Sequence, residues 1–412
     1  VQDCPLPTPA MSGLSTEEAA AIESIDQGAM LDQVRRWAAV NSGTRNLDGL
    51  AWMATLLTDA FSALPGEVAL VAPDKVETMT SEGTIAEIGH GRHLHLTVRP
   101  EAPVQMLLTG HMDTVYPVDH PFQTLTDRDD GTLLGPGTAD MKGGLATMLA
   151  ALKAVETTPT AHRIGYEVVI NSDEETGSFS SAALLAKAAR GKIAALTYEP
   201  ALADGTLAGA RGGTGHVSIR GRGKSAQAGR TPDEGRNAVL AAADIALRLA
   251  EARGPRLSVN PARIEGGGPN NVVPELAILR VNFRPATLAE IDRAQAHIDA
   301  AVAMVASKHD VDIEVHGGFN RPPKPIDDAA AALFACVKDA GADLGLDIAW
   351  RDTGGVCDGN NIAAAGVPVV DTMGVRGGAI HSPDEFMIVD SLAERAALSA
   401  LTILRIAEKG RP

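Results

Sequence analysis

Aromatic residues are scarce in this chain, 3% of 412 positions, although hydrophobic residues as a class reach 45%. Its interiors must therefore be packed with Ala, Val, Leu and Ile. Positive charge is also short: Lys plus Arg total 36 against 52 for Asp plus Glu, a net charge of −16. That balance argues against nucleic acid or an anionic membrane as partner. The three cysteines, Cys4, Cys336 and Cys357, lack any C-x-x-C spacing and form no disulfide framework. No apolar run reaches the length of a membrane span. Residues 1 to 15 read as a flexible lead-in without signal-peptide character. A cytoplasmic location is expected, or a periplasmic one if a signal peptide was removed before residue 1.

The length favours two domains. A helical pattern runs from Thr16 to Val40 with Thr16 as its N-cap, and a second helix covers Leu47 to Ala63. Strand-like stretches follow at Glu67 to Val71, Thr84 to Ile88 and His93 to Val98. The alternating His93 and His95 read as same-face polar residues on a half-exposed strand, not as ligands. Apolar runs at Val104 to Thr109, Ile164 to Ile170 and Ile193 to Tyr198 alternate with helical segments at Lys142 to Glu156 and Ser181 to Arg190. Polar residues end each of those runs, and in such α/β sheets sites gather at the carboxyl edge of the strands.

After Ala210 the pattern becomes strand, helix, strand, strand, helix, strand, from His216 to His316. That order is the split, ferredoxin-like arrangement. The α/β pattern returns after Arg321, through Ala329 to Ala340 and Ala363 to Asp371, and closes with a helix from Val389 to Ala407. The expected architecture is an α/β domain (1–209 and 319–412) with a mixed sheet, interrupted by an α+β unit (210–318).

Five polar residues stand at the ends of apolar runs: His111, Asp140, Glu175, Glu199 and His381. Singly, each has an ordinary reading as a cap, a turn or a hydrogen-bonded structural residue. Their joint placement is harder to explain that way. Two imidazoles and three carboxylates suit borderline divalent metals such as zinc. Five ligands are too many for one open tetrahedral site and suit two ions with a shared carboxylate. Two Zn2+ ions balance three carboxylates and one hydroxide, and water bound to such ions loses a proton near neutral pH. The run Asp173-Glu174-Glu175 then has its positive partner. Asp113 can accept the ring N–H of His111. Glu174, beside the presumed ligand Glu175, can move a proton from water to a leaving amine. Asp173 is expected to be structural.

The stretches G-H-M-D-T-V, G-P-G-T-A-D-M-K-G-G, N-S-D-E-E-T-G-S, Y-E-P and A-I-H-S-P-D-E-F resemble, in order, the motifs of the dizinc metallopeptidases. That family includes carboxypeptidase G, acetylornithine deacetylase, succinyl-diaminopimelate desuccinylase and aminoacylase. The resemblance implies His111 and Glu199 on one metal, Glu175 and His381 on the other, and Asp140 bridging. It implies Glu174 as general base, Asp113 as partner of His111 and a cis peptide after Asp140. It also implies a catalytic α/β domain with a three-layer build, carrying an inserted ferredoxin-like lid that forms a homodimer. Glu199, where several relatives have Asp, is similar to the carboxypeptidase G type.

Asn271, in G-G-G-P-N-N-V-V-P-E, and Arg284, in V-N-F-R-P, match positions that contact substrate in the family. Their amide and guanidinium suit a carboxylate. Arg321 and the loop Gly354 to Asn360 are expected near the pocket, and Cys357 is given no nucleophilic role. One departure stands out: in G-R-G-K-S-A-Q-A-G, Gln227 occupies the position of a family histidine that helps stabilise the oxyanion. Gln227 is expected to serve as an uncharged donor to substrate. Gly223-Lys224-Ser225 is no phosphate loop, because Ser218 stands where that motif needs glycine.

The function expected is a two-zinc hydrolase, with Co2+ or Mn2+ as substitutes, cleaving an amide in an N-acyl amino acid or small peptide with a free carboxylate. The alternatives are a biosynthetic deacylase, of the acetylornithine or succinyl-diaminopimelate kind, and a metal-binding protein without catalysis.

Overall fold

The computed structural model describes residues 13–412, so most of the expected lead-in, Cys4 included, lies outside the described residues. Its centre is a six-stranded sheet. In spatial order the strands are Glu67–Val71, His93–Val98, Ile164–Asn171, Val104–His111, Ala194–Thr197 and Val369–Val370. The first two pair antiparallel and the last four run parallel, giving a mixed sheet. Alternate side chains feed two cores. Met106 and Leu108 face the large core with the helices Gly143–Glu156 and Ser391–Lys409, whereas Leu107 and Val169 face a smaller one with Ala182–Ala189 and Asp358–Ala364. Helices therefore cover both faces, as fully buried parallel strands require.

With few aromatics, these layers approach closely. A side chain added at Gly144 would lie 2.0 Å from the carbonyl oxygen of Tyr198. That glycine lets the helix Gly143–Glu156 sit directly against the segment leading to Glu199.

The inserted unit is a four-stranded antiparallel sheet in the order Leu257–Gly266, Leu276–Pro285, Thr214–Arg222, Asp312–Arg321. Helices Ala238–Ala250 and Leu288–His309 cover one face around a separate core that includes Ile219, Ile245, Phe283 and Val305. Its other face is polar and meets a hairpin of the first unit, Val76–Met79 with Ile85–Ile88. Arg220 donates to the Gly83 carbonyl (2.8 Å), Arg280 to that of Met79 (2.7 Å) and His316 to that of Glu77 (3.1 Å).

Several local expectations are corrected. The helix expected over Thr16 to Val40 is two, Thr16–Glu23 and Gln27–Ala38. Ser15, not Thr16, caps the first in a capping box with Glu18, and Asp26 caps the second by accepting from the Ala29 N–H. A short acid that satisfies the backbone locally starts a new helix there. The segment expected as Ala363 to Asp371 is a helix, Asp358–Ala364, followed by a two-residue strand. A small sheet of very short strands, including Thr132–Leu134, Arg376–Gly378 and Phe386–Ile388, has no sequence signal, because strands of two or three residues carry too little alternation. His93 is buried, not half-exposed: its ring accepts from the Ser172 N–H and donates to the Ser180 carbonyl. His95 pairs with Glu167 at 2.6 Å.

Candidate metal centre and active site

Three parallel strands end side by side, and their register sets His111 opposite Asn171 and Thr109 opposite Thr197. His111 closes its strand, Glu174 and Glu175 follow Asn171, and Glu199 follows Thr197 by two residues. Asp140 arrives from below the helix Gly143–Glu156, through Gly137 in the left-handed region (φ 69°) and a cis Asp140–Met141 bond. His381 comes from the loop after Arg376–Gly378.

The five residues form two groups that share Asp140: His111, Asp140 and Glu199, and Asp140, Glu175 and His381. Within each group, one ligand atom per residue lies within 4.8 Å of the others. Asp140 Oδ1 is 3.1 Å from His111 Nε2, and Oδ2 is 3.2 Å from His381 Nε2. Glu199 Oε1 lies 3.7 Å from His111 Nε2, and Glu175 Oε2 3.2 Å from His381 Nε2.

The charge is concentrated and buried. Burial and Asp140 push Glu175 up to about 8, and the same two causes raise Glu199. Burial would lower the His111 pKa, but Glu199, Asp113 and Asp140 outweigh it and raise it well above the ordinary value. Hydrogen bonds to Asp140 and Glu175 take His381 up to about 11. Three carboxylates in so small a volume call for cations, and the donor set of imidazole nitrogen and carboxylate oxygen fits two divalent ions.

Asp113 is used differently from the expectation. The ring N–H at His111 Nδ1 donates to the backbone carbonyl of Asp113 at 2.9 Å, while the carboxylate is 3.4 Å away. That carboxylate accepts the backbone N–H groups of Glu174 and Glu175 (both 3.2 Å) and the Thr44 hydroxyl (2.7 Å). It holds the acidic turn against His111. Asp173 turns away, accepting from the Ser180 N–H and the hydroxyls of Ser180 and Ser181 at 2.7–2.8 Å.

Glu174 is buried, and its pKa is raised well above the carboxylate range by burial, against the opposing pull of Arg321. Its Oε1 lies 2.8 Å from Arg321 Nη2 but makes no hydrogen bond with the protein. Arg321 is itself only 4% exposed and also donates to the Glu174 carbonyl and Ser178 Oγ, with Asp358 at 3.3 Å. Its Nη2 serves the acidic turn, and Arg321 also lines the cavity over the site, where it was expected.

A cavity of 1040 Å³ opens over the two groups, lined among others by Arg211, His216, Arg284 and Phe179. Arg284 Nε donates to Asn282 (3.0 Å), and among the described residues its guanidinium forms no ion pair with a carboxylate. Cys357 is a buried wall residue whose sulfur accepts from the Gly359 N–H, and burial pushes its thiol up, so it stays protonated.

Gln227 and Asn271 are not brought to this cavity. They lie together on exposed loops of the inserted unit, the Ala228 N–H donating to the Asn271 carbonyl at 2.9 Å. Gln227 Oε1 accepts from the Gly229 N–H (2.7 Å), and the residue is exposed. Residues that sequence reasoning missed include Arg211, which pairs with the buried Asp371, and Thr44, which holds Asp113. Nothing local marks either one; each is defined by a contact across the fold.

Known proteins resemble this chain over most of its length. Residues 107–405 match the model of peptidase family M20/M25/M40. Carboxypeptidase G2 of Pseudomonas sp. (strain RS-16) is 27% identical over 394 residues, 92% of this chain and 89% of that protein. A succinyl-diaminopimelate desuccinylase of Pseudoalteromonas translucida (strain TAC 125) is 30% identical over 311 residues, covering 69% and 78% of the two chains. Among solved structures, a tripeptidase from Staphylococcus aureus subsp. aureus Mu50 superposes with a TM-score of 0.70 at 25% identity, covering 94% of this chain and all of that one. By the family match, by these relatives and by its two-unit α/β fold, the chain is a member of the hydrolytic peptidase family M20/M25/M40.

Proposed function

We propose that the protein is a two-zinc amidohydrolase or exopeptidase that cleaves an amide in an N-acyl amino acid or short peptide with a free carboxylate. The observation that carries this reading is Asp140, whose two oxygens each face a different group of ligand atoms, beside a buried Glu174. His111, Glu199 and Asp140 would hold one ion, and Glu175, His381 and Asp140 the other. Bound there, the ions would polarise a substrate carbonyl and make a water acidic enough to attack it.

The remaining work belongs to the protein. Glu174 takes the proton of the attacking water and delivers it to the departing amine nitrogen. Burial suits it to hold a proton between those steps, and Arg321 limits how far its basicity rises and fixes its orientation. Asp113 keeps the turn in place through two backbone N–H groups. Arg284, without a carboxylate partner among the described residues, is the cation we assign to the substrate carboxylate. Gln227 and Asn271 act in a neighbouring copy, in a homodimer formed through the inserted unit, with the exposed Gln227 as donor to the oxyanion. A second reading, removal of a short acyl group from a biosynthetic amino acid, is favoured by the 30% identity to a desuccinylase.

The test is turnover of N-acyl amino acids and dipeptides by zinc- and cobalt-loaded protein, wild type against Glu174→Gln. We expect kcat to fall by roughly 10²–10⁴-fold, the range for loss of a general base. Undiminished turnover in Glu174→Gln would remove the mechanism.

A further inference from the structure

We propose that Glu385, oriented by Tyr116, is a positioning residue that holds the His381 loop against Asp140 and so completes the second ligand group. The inference rests on reading the two groups as metal sites. His381 is the least anchored of the five. Its side chain is 52% exposed, and both His381 (φ 62°) and Ala379 (φ 52°) lie in the left-handed region, which disfavours residues with a Cβ. The loop does not adopt that course by intrinsic preference, so contacts elsewhere must impose it.

Glu385, four residues further on, supplies them. It is 1% exposed, and both of its carboxylate oxygens have partners. Oε1 accepts the backbone N–H groups of Ala139 (3.1 Å) and Asp140 (2.9 Å). Oε2 lies 2.7 Å from the Tyr116 hydroxyl, which is also 2.9 Å from the Ser382 carbonyl. The hydroxyl has one proton, which it gives to the carboxylate or the carbonyl in turn. The Glu385 backbone carbonyl accepts from the Gly135 N–H at 3.0 Å. A single carboxylate thus joins the loop that carries His381, the segment that carries Asp140, and the buried Tyr116.

The two ligand groups do not depend on this joint equally. His111 and Glu199 are anchored by adjacent strands of the central sheet. Glu175 sits on a one-turn helix and His381 on the loop. Loosening Glu385 should therefore weaken the Glu175–His381 group first, whereas a carboxylate serving packing alone would show no such selectivity.

The experiment is a titration of metal-free protein with Zn2+, followed by calorimetry and metal analysis, for wild type, Glu385→Gln and Tyr116→Phe. Gln keeps the size and one acceptor but cannot accept from Tyr116 on its nitrogen. We expect wild type to take two equivalents. In Glu385→Gln one of them should weaken by roughly 10–100-fold, the usual effect of losing a ligand's hydrogen-bonded support, while the other stays within a few fold. Tyr116→Phe should move the same equivalent in the same direction by less, and it carries the test if Glu385→Gln does not fold. Equal weakening of both equivalents, or no change in either variant, would overturn the proposal. Fewer than two equivalents in the wild type would instead remove the two-site reading, and this proposal with it.

Discussion

Asp371→Asn tests how far the wall of the cavity rests on one buried carboxylate. Asp371 is fully buried and accepts from Arg211 Nε (2.7 Å) and Nη2 (2.9 Å), with Lys324 Nζ at 2.9 Å. Burial would raise its pKa, but the two cations outweigh it and hold the group down from 3.8 to about 2. At about 1.4 kcal/mol per unit, the ionised group contributes on the order of 2 kcal/mol at neutral pH. Because the folded pKa is the depressed one, this contribution is complete above the unfolded value and fades as pH falls from about 4 toward 2. At pH 3 about half remains.

Substitution by Asn costs more than this, about 3–5 kcal/mol at pH 7, because Arg211 and Lys324 stay buried without a counter-charge. Equilibrium unfolding in urea, followed by circular dichroism at pH 7 and pH 3, measures both effects. The gap between wild type and Asp371→Asn should narrow by roughly 1 kcal/mol at the lower pH. A gap below about 1 kcal/mol at pH 7, or one that is the same at both pH values, would show that the buried ion network does not carry the stability assigned to it here.

Gly374→Ala would place a Cβ 2.3 Å from the Tyr198 carbonyl and 2.7 Å from that of Glu199, so the Glu199 segment must move. Zinc content and turnover should both drop, with an overpacking cost of about 1–3 kcal/mol; full zinc content at wild-type turnover would refute this. Gln227→Ala should lower kcat by less than the roughly 10²–10³-fold typical of a lost oxyanion donor, and Gln227→His should raise it. If neither variant changes turnover, Gln227 is not a donor.

The candidate site was legible in the sequence because strand ends are. An apolar run closed by His111, or by Asn171 and the acids after it, marks both an element boundary and a polar edge. The inserted unit was legible for a similar reason, since its strands and helices are long enough to show their periods. Short strands such as Phe386–Ile388 were not, and neither was the break at Asp26, where one side chain divides a helical pattern.

Residue type and local spacing alone determined the candidate ligand set, the split order of strands and helices between Thr214 and Arg321, and the lack of a cysteine framework. Tertiary structure decided which residues meet. It sorted the other four candidate ligands into two pairs, one beside each oxygen of Asp140, and it set Arg321 against Glu174. It gave the Asp113 carboxylate to the acidic turn, and left Gln227 and Asn271 on exposed loops of the inserted unit. Local periodicity reports the angle at which a side chain leaves its own helix or strand. The distance between residues as far apart in sequence as His111 and His381 depends on strand order, crossovers and loop closure, and those arise only when the chain packs.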